Sequence, residues 1–133
     1  MSALTEELKS EHATLVKILG EVKEIGVTSE EGQDKLMTAR DGLLAHLGKE
    51  DEKLYPTLKE RSASDDNLKN LLDTFAKDMD EISKVALGFF DKYQDGGSPI
   101  EFAKDFGALY GALANRIRKE ESILYAEYDK VVG

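Results

Sequence analysis

From Leu68 onward the apolar residues fall at Leu72, Phe75, Met79, Ile82, Ala86, Phe89 and Tyr93, in alternating steps of four and three. At roughly 100° of rotation per residue, such steps return every side chain to one face of an α-helix. A half-buried strand would alternate at period two, and no stretch of the chain sustains that. Three more stripes share the helical period: Leu8, His12, Leu15, Leu19 and Val22; Leu36, Leu43, Leu47, Leu54 and Leu58; Phe102, Phe106, Leu109, Leu113, Ile117, Glu120 and Leu124. The fold class is therefore all-α.

Breaks between the stripes are short. The first helix is expected from about Ala3 to Ile25, with Gly26 as its stop. Thr28-Ser-Glu-Glu31 has the capping-box form and opens a second helix that runs to about Arg61. Pro56 lacks a backbone donor and is expected to bend the last turns. Ser62 or Ser64 is expected to cap the third helix, which Gln94-Asp-Gly-Gly ends. Ser98-Pro99-Ile100-Glu101 then reads as a helix start, with cap, proline at the first position and glutamate three after the cap. Long helices joined by short connections pack as antiparallel neighbours. The expected architecture is an up-down-up-down antiparallel four-helix bundle forming one domain over residues 1–133.

The second and fourth helices also resemble each other. His46-Leu-Gly-Lys-Glu50-Asp-Glu-Lys-Leu54-Tyr55 lines up with Arg116-Ile-Arg-Lys-Glu120-Glu-Ser-Ile-Leu124-Tyr125, and Lys49/Lys119, Glu50/Glu120, Leu54/Leu124 and Tyr55/Tyr125 match. At nearly the same offset His12 faces Met79. Two similar helical hairpins are therefore expected, with His12, His46, Met79 and Arg116 at a similar depth.

Four polar residues lie on or beside the apolar stripes. Glu50 falls between Leu47 and Leu54, Glu120 between Leu113 and Leu124, His12 between Leu8 and Leu15, and His46 lies one turn before Glu50. A carboxylate on a buried stripe is costly without a cation, a metal or a donor. Residues three or four apart share a helix face, so His46 and Glu50 can address one point, as can Arg116 and Glu120. Two readings follow. His12, His46, Glu50 and Glu120 offer two imidazoles and two carboxylates, enough for one iron, zinc or manganese ion. Alternatively, Arg116 replaces the metal by ion-pairing with Glu50 and Glu120, leaving a metal-free structural or interaction domain. Asp51, Glu52 and Glu121 read as solvated charges.

Composition removes several function classes. The 133 residues carry 27 acidic and 18 basic side chains, a net charge of −9, with no cysteine. An acidic surface repels nucleic acid and anionic lipid. Without cysteine there are no disulfides, thiolate sites or iron–sulfur clusters. The first twenty residues carry too many charges for a signal-peptide core, and the apolar run Val85 to Phe90 is far too short to span a bilayer. A cytoplasmic protein is expected, with neither nucleic-acid nor membrane partners.

Taken together, Glu11-His12, His46-x-x-x-Glu50-Asp with Leu54-Tyr55-Pro56, and Lys119-Glu120-Glu121 with Leu124-Tyr125 resemble the hemerythrin-like (HHE) cation-binding domains. The resemblance covers essentially the whole chain. It implies a non-haem di-iron centre inside the bundle, with an open position for oxygen or a related small ligand. Carried over, His12, His46, Glu50 and Glu120 (or Glu121, one place on) match the family's ligands. Met79 and Arg116 stand where the third and fourth helices should supply histidines, so the resemblance implies a reduced site. It implies a module that binds a cation or small diatomic ligand rather than a catalyst.

Overall fold

The computed structural model describes residues 2–132. Its elements are α1 (Ala3–Ile25), α2 (Glu30–Lys49), a π-helical turn π1 (Glu50–Leu54), α3 (Tyr55–Ser62), α4 (Asp66–Tyr93), α5 (Pro99–Lys119), a second π-helical turn π2 (Glu120–Leu124) and α6 (Tyr125–Val132). No strand occurs among the described residues. The chain is a helical bundle in which α1 packs on α2 and α5, α4 on α5, and α3 on both α4 and α6.

Each break has a local cause. Gly26 ends α1 with φ 78°, a left-handed conformation that disfavours side chains, and its amide reaches Val22 O at 2.8 Å. Ser29, rather than Thr28, caps α2: its hydroxyl accepts from the Gly32 amide at 3.2 Å. Gly32 sits so close to the preceding turn that a Cβ there would lie 1.7 Å from Gly26 O. Asp65 caps α4 through Leu68 N at 3.1 Å, displacing the expected Ser62 or Ser64. An aspartate makes the stronger acceptor for a helix-terminal amide, and its charge also suits the helix dipole. Ser98 and Pro99 open α5 as expected, the Ser98 hydroxyl accepting from Glu101 N at 3.4 Å.

The two π-turns correct the expectation of a proline bend. Buried residues follow one pattern in both helices: Leu36, Ala39, Leu43, His46, Glu50, Leu54 and Tyr55 in one, Phe106, Leu109, Leu113, Arg116, Glu120, Leu124 and Tyr125 in the other. From His46 and from Arg116 the buried residues advance by successive steps of four. On a regular helix each such step drifts by about 40°. Widening one turn to the π form, with Tyr55 N bonded to Glu50 O and Tyr125 N to Glu120 O, takes up that drift. Pro56 is not the cause, because the second turn forms with Ala126 at the matching place.

Apolar burial falls into two clusters. One contains Leu15, Leu19, Leu36, Leu43, Phe89, Phe102, Phe106 and Leu113; the other contains Leu8, Leu54, Leu58, Leu68, Leu72, Phe75, Leu124 and Tyr125. His12, His46, Glu50, Arg116 and Glu120 are buried, and in sequence each falls between a residue of one cluster and a residue of the other. The helices thus place a polar layer between two hydrophobic ones.

Candidate metal centre

The rings of His12 from α1 and His46 from α2 lie 4.5 Å apart. Each turns its outer nitrogen to a carboxylate: His12 Nδ1 to Glu121 Oε2 and His46 Nδ1 to Glu11 Oε1, both at 2.8 Å. Carboxylates accept only, so these contacts hold the proton on Nδ1 and leave Nε2 free to act as a ligand, the usual outer arrangement around ligating histidines. Lys49 bonds Glu11 and also reaches Glu7 Oε1 at 2.8 Å, fixing the outer carboxylate in turn. Glu121, read from sequence as solvated, is thus tied to His12, because the second π-turn brings it alongside α1.

Both Nε2 atoms face inward to a shared group of oxygens. His12 Nε2 is 3.2 Å from Glu120 Oε1, and His46 Nε2 is 3.6 Å from Glu50 Oε2. The Tyr125 hydroxyl lies among them, 3.3 Å from His12 Nε2 and 3.4 Å from His46 Nε2, and it donates to Glu50 Oε2 at 2.8 Å. One ligand atom from each of His12, His46 and Glu120 fits within a 4.8 Å span, all three residues buried. Glu50, the fourth expected ligand, joins them through Tyr125 and His46. The structure therefore brings all four sequence-expected residues into one layer.

Arg116 occupies the other side of that layer, and here the geometry differs from expectation. Its fork does not grip a carboxylate bidentately. Nη1 donates to Phe75 O at 3.0 Å, Nη2 to Tyr55 Oη at 3.1 Å, and the guanidinium carbon lies 4.6 Å from the centre of the Phe75 ring. Nε approaches Glu120 Oε2 at 3.6 Å, an ion pair longer than a hydrogen bond, and no Glu50 oxygen forms an ion pair with it. Helix α4 thus reaches the site through Phe75, while Met79, one turn on, is half-buried and lines an outer groove with Tyr55. Glu50 Oε1, Glu120 Oε2 and Arg116 Nε are buried without a hydrogen-bond partner.

Burial and crowding set the charges. Burial and the neighbouring Glu50 charge push the Glu120 carboxyl well above its ordinary value, so Glu120 holds a proton more readily than Glu50 does. Burial acts the same way on Glu50 but is outweighed by its polar neighbours His46, Glu120 and Tyr125, the last donating to Oε2, which hold it below the usual carboxylate value. His46 is raised: burial opposes its charge, but Glu50 and Glu11 prevail. Burial, with the Glu120 and Glu50 carboxyls beside it, pushes the Tyr125 phenol upward, so it stays a donor.

Tyr55, Tyr125, Phe75 and Glu11 were not singled out as site residues by spacing. The signal for the tyrosines was their place in the repeat, one residue after a core leucine. Read regularly, that place points away from the stripe; only the π-turn brings it inward.

The structure is an all-helical bundle with a buried histidine–carboxylate layer in which His12, His46 and Glu120 could hold a metal ion. Residues 3–128 match the family model described as Hemerythrin HHE cation binding domain, and the chain belongs to that family. No curated protein and no solved structure matches the chain.

Proposed function

We propose that the chain binds a divalent cation, iron being the first candidate, through His12 Nε2, His46 Nε2, Glu50 and Glu120. The observation that carries this reading is the pair of imidazoles whose outer nitrogens are held by Glu121 and Glu11 while both inner nitrogens face one point. The buried partnerless oxygens Glu50 Oε1 and Glu120 Oε2 support it, since a cation would satisfy groups that otherwise cost free energy. Bound there, an ion would supply an open coordination position for a small ligand such as oxygen. The protein's own share is to orient the imidazoles, to take up or release the Glu120 proton, and to exclude water with the two apolar clusters.

We further read the bundle as up-down-up-down, built from two similar hairpins within a single domain. In support, α1 and α4 run from the Leu8–Phe75 cluster toward the other, while α2 and α5 run the opposite way. The role is binding rather than turnover, in the cytoplasm. No helix among the described residues is long and apolar enough to cross a membrane.

Metal analysis of protein purified without a histidine tag tests the proposal. Wild type should retain or take up a divalent ion, and His46→Ala should lose it while staying helical. Metal absent from wild type, or held equally by both proteins, would mean that this layer takes no ion, the structural reading that the Arg116–Glu120 contact favours.

A further inference from the structure

We infer that the polar layer is a two-cation site with one cation built in: the Arg116 guanidinium takes the place of a second metal, so the chain binds a single divalent ion on the His12/His46 side. This rests on the cation-binding reading above and specifies its stoichiometry.

The two halves of the layer correspond residue by residue. His46 Nε2 lies 3.6 Å from Glu50 Oε2, and Arg116 Nε lies 3.6 Å from Glu120 Oε2, each pair one helical turn apart. Tyr125 Oη lies 3.4 Å from His46 Nε2, and Tyr55 Oη lies 3.1 Å from Arg116 Nη2. Each half thus has a glutamate that opens the π-turn one turn after its nitrogenous side chain, and a tyrosine that follows the π-turn of the other helix. In the Arg116 half the cation is covalently part of the chain, and the Tyr55 oxygen accepts from it. In the other half the imidazoles are ligands, and the cation must come from outside.

Chemistry prevents a second ion from entering beside Arg116. A guanidinium keeps its charge and has no lone pair to offer a metal. Helix α4 supplies no ligand there, because Phe75 covers the guanidinium with its ring and carbonyl while Met79 lies in the outer groove. Two unit charges ~4 Å apart in a protein setting repel enough to cost on the order of a thousandfold in affinity. The same charge lets Glu50 and Glu120 remain buried together when only one ion is present.

The test is titration of the untagged full chain with Mn²⁺ alone, followed by binding stoichiometry and electron paramagnetic resonance. Wild type is expected to bind one ion per chain with the signal of an isolated ion. Phe75→His/Arg116→His, which puts imidazoles at the α4 and α5 positions that face each other, is expected, once shown to be helical, to bind two with a spin-coupled signal. Arg116→Gln is expected to bind its single ion at least about tenfold more tightly by loss of repulsion, whereas Arg116→Lys keeps wild-type affinity. Two ions in wild type, a folded double variant that still takes one, or unchanged affinity in Arg116→Gln would each overturn the inference. If wild type binds none, the cation-binding reading itself fails and the built-in cation falls with it.

Discussion

Tyr125 Oη donates to Glu50 Oε2 at 2.8 Å, joining the first residue of α6 to the first residue of π1 across the buried polar layer. Both residues are buried, and the phenol is the hydroxyl donor that Glu50 meets. Tyr125→Phe should therefore destabilise the metal-free protein by about 1–3 kcal/mol, the usual cost of a lost bond to a buried charged group. Urea unfolding followed by circular dichroism measures this; an unchanged midpoint would mean that Glu50 is satisfied elsewhere.

Arg116 stabilises the apo-protein by a different route. Its guanidinium is the positive charge that faces Glu120, and its planar face packs on Phe75. Arg116→Ala should cost about 3–5 kcal/mol in the absence of metal, as expected for leaving a buried charge uncompensated. Saturating divalent ion should recover part of that loss, and the comparison of unfolding midpoints with and without metal reads it directly.

The dependence on pH carries opposing signs. Glu120 is raised above its ordinary value of 4.5, so the stability it contributes is present below that pH and is lost as pH rises through its folded-state value. His46, raised from 6.5, has the same sign, its loss beginning above 6.5. Glu50, lowered from 4.5, contributes above its ordinary value and is lost only in stronger acid. The apo-protein should be most stable in mild acid and weaken toward alkaline pH, and Glu120→Gln should flatten the Glu120 part of that decline. Cation uptake must displace these protons, so apparent affinity should fall as the solution is acidified. Calorimetric titration in two buffers of different ionisation enthalpy detects the released protons.

The outer carboxylates set the imidazole tautomers. Glu11→Gln and Glu121→Gln each replace an acceptor-only group with one that can also donate, so Nδ1 is no longer bound to carry the proton. Each change should lower cation affinity by roughly 10–100-fold while leaving the helices intact. An affinity loss in His46→Ala without one in Glu11→Gln would show that tautomer control is unimportant here.

Much of this was legible in the sequence. The apolar stripes and Gly26 located the helices, and the repeat beginning at His46 and Arg116 located the buried layer. Glu50 and Glu120 stood out because a carboxylate on a core stripe needs a partner. What sequence did not reveal was the π form of the turns after Lys49 and Lys119, since a pattern of steps by four resembles ordinary helix until its drift is added up. For that reason Glu121 reads as solvated, and the inward turn of Tyr55 and Tyr125 has no sign in the spacing. The Phe75 contact was hidden because it uses a backbone carbonyl, which no residue type announces. The tight approach at Gly32 was equally silent; Gly32→Ala should destabilise by about 1–3 kcal/mol through overpacking against Gly26 O, measurable by thermal unfolding.

The most direct measurement is a crystal structure of the untagged protein grown with Co²⁺ and phased at the cobalt edge. Anomalous density is expected within the buried layer, about 2.0–2.2 Å from His12 Nε2 and His46 Nε2, with carboxylate oxygens of Glu50 and Glu120 completing the shell and Arg116 still bonded to Phe75 and Tyr55. Cobalt found only on surface carboxylates, with both imidazoles still turned toward Tyr125 and no density between them, would contradict cation binding by this layer.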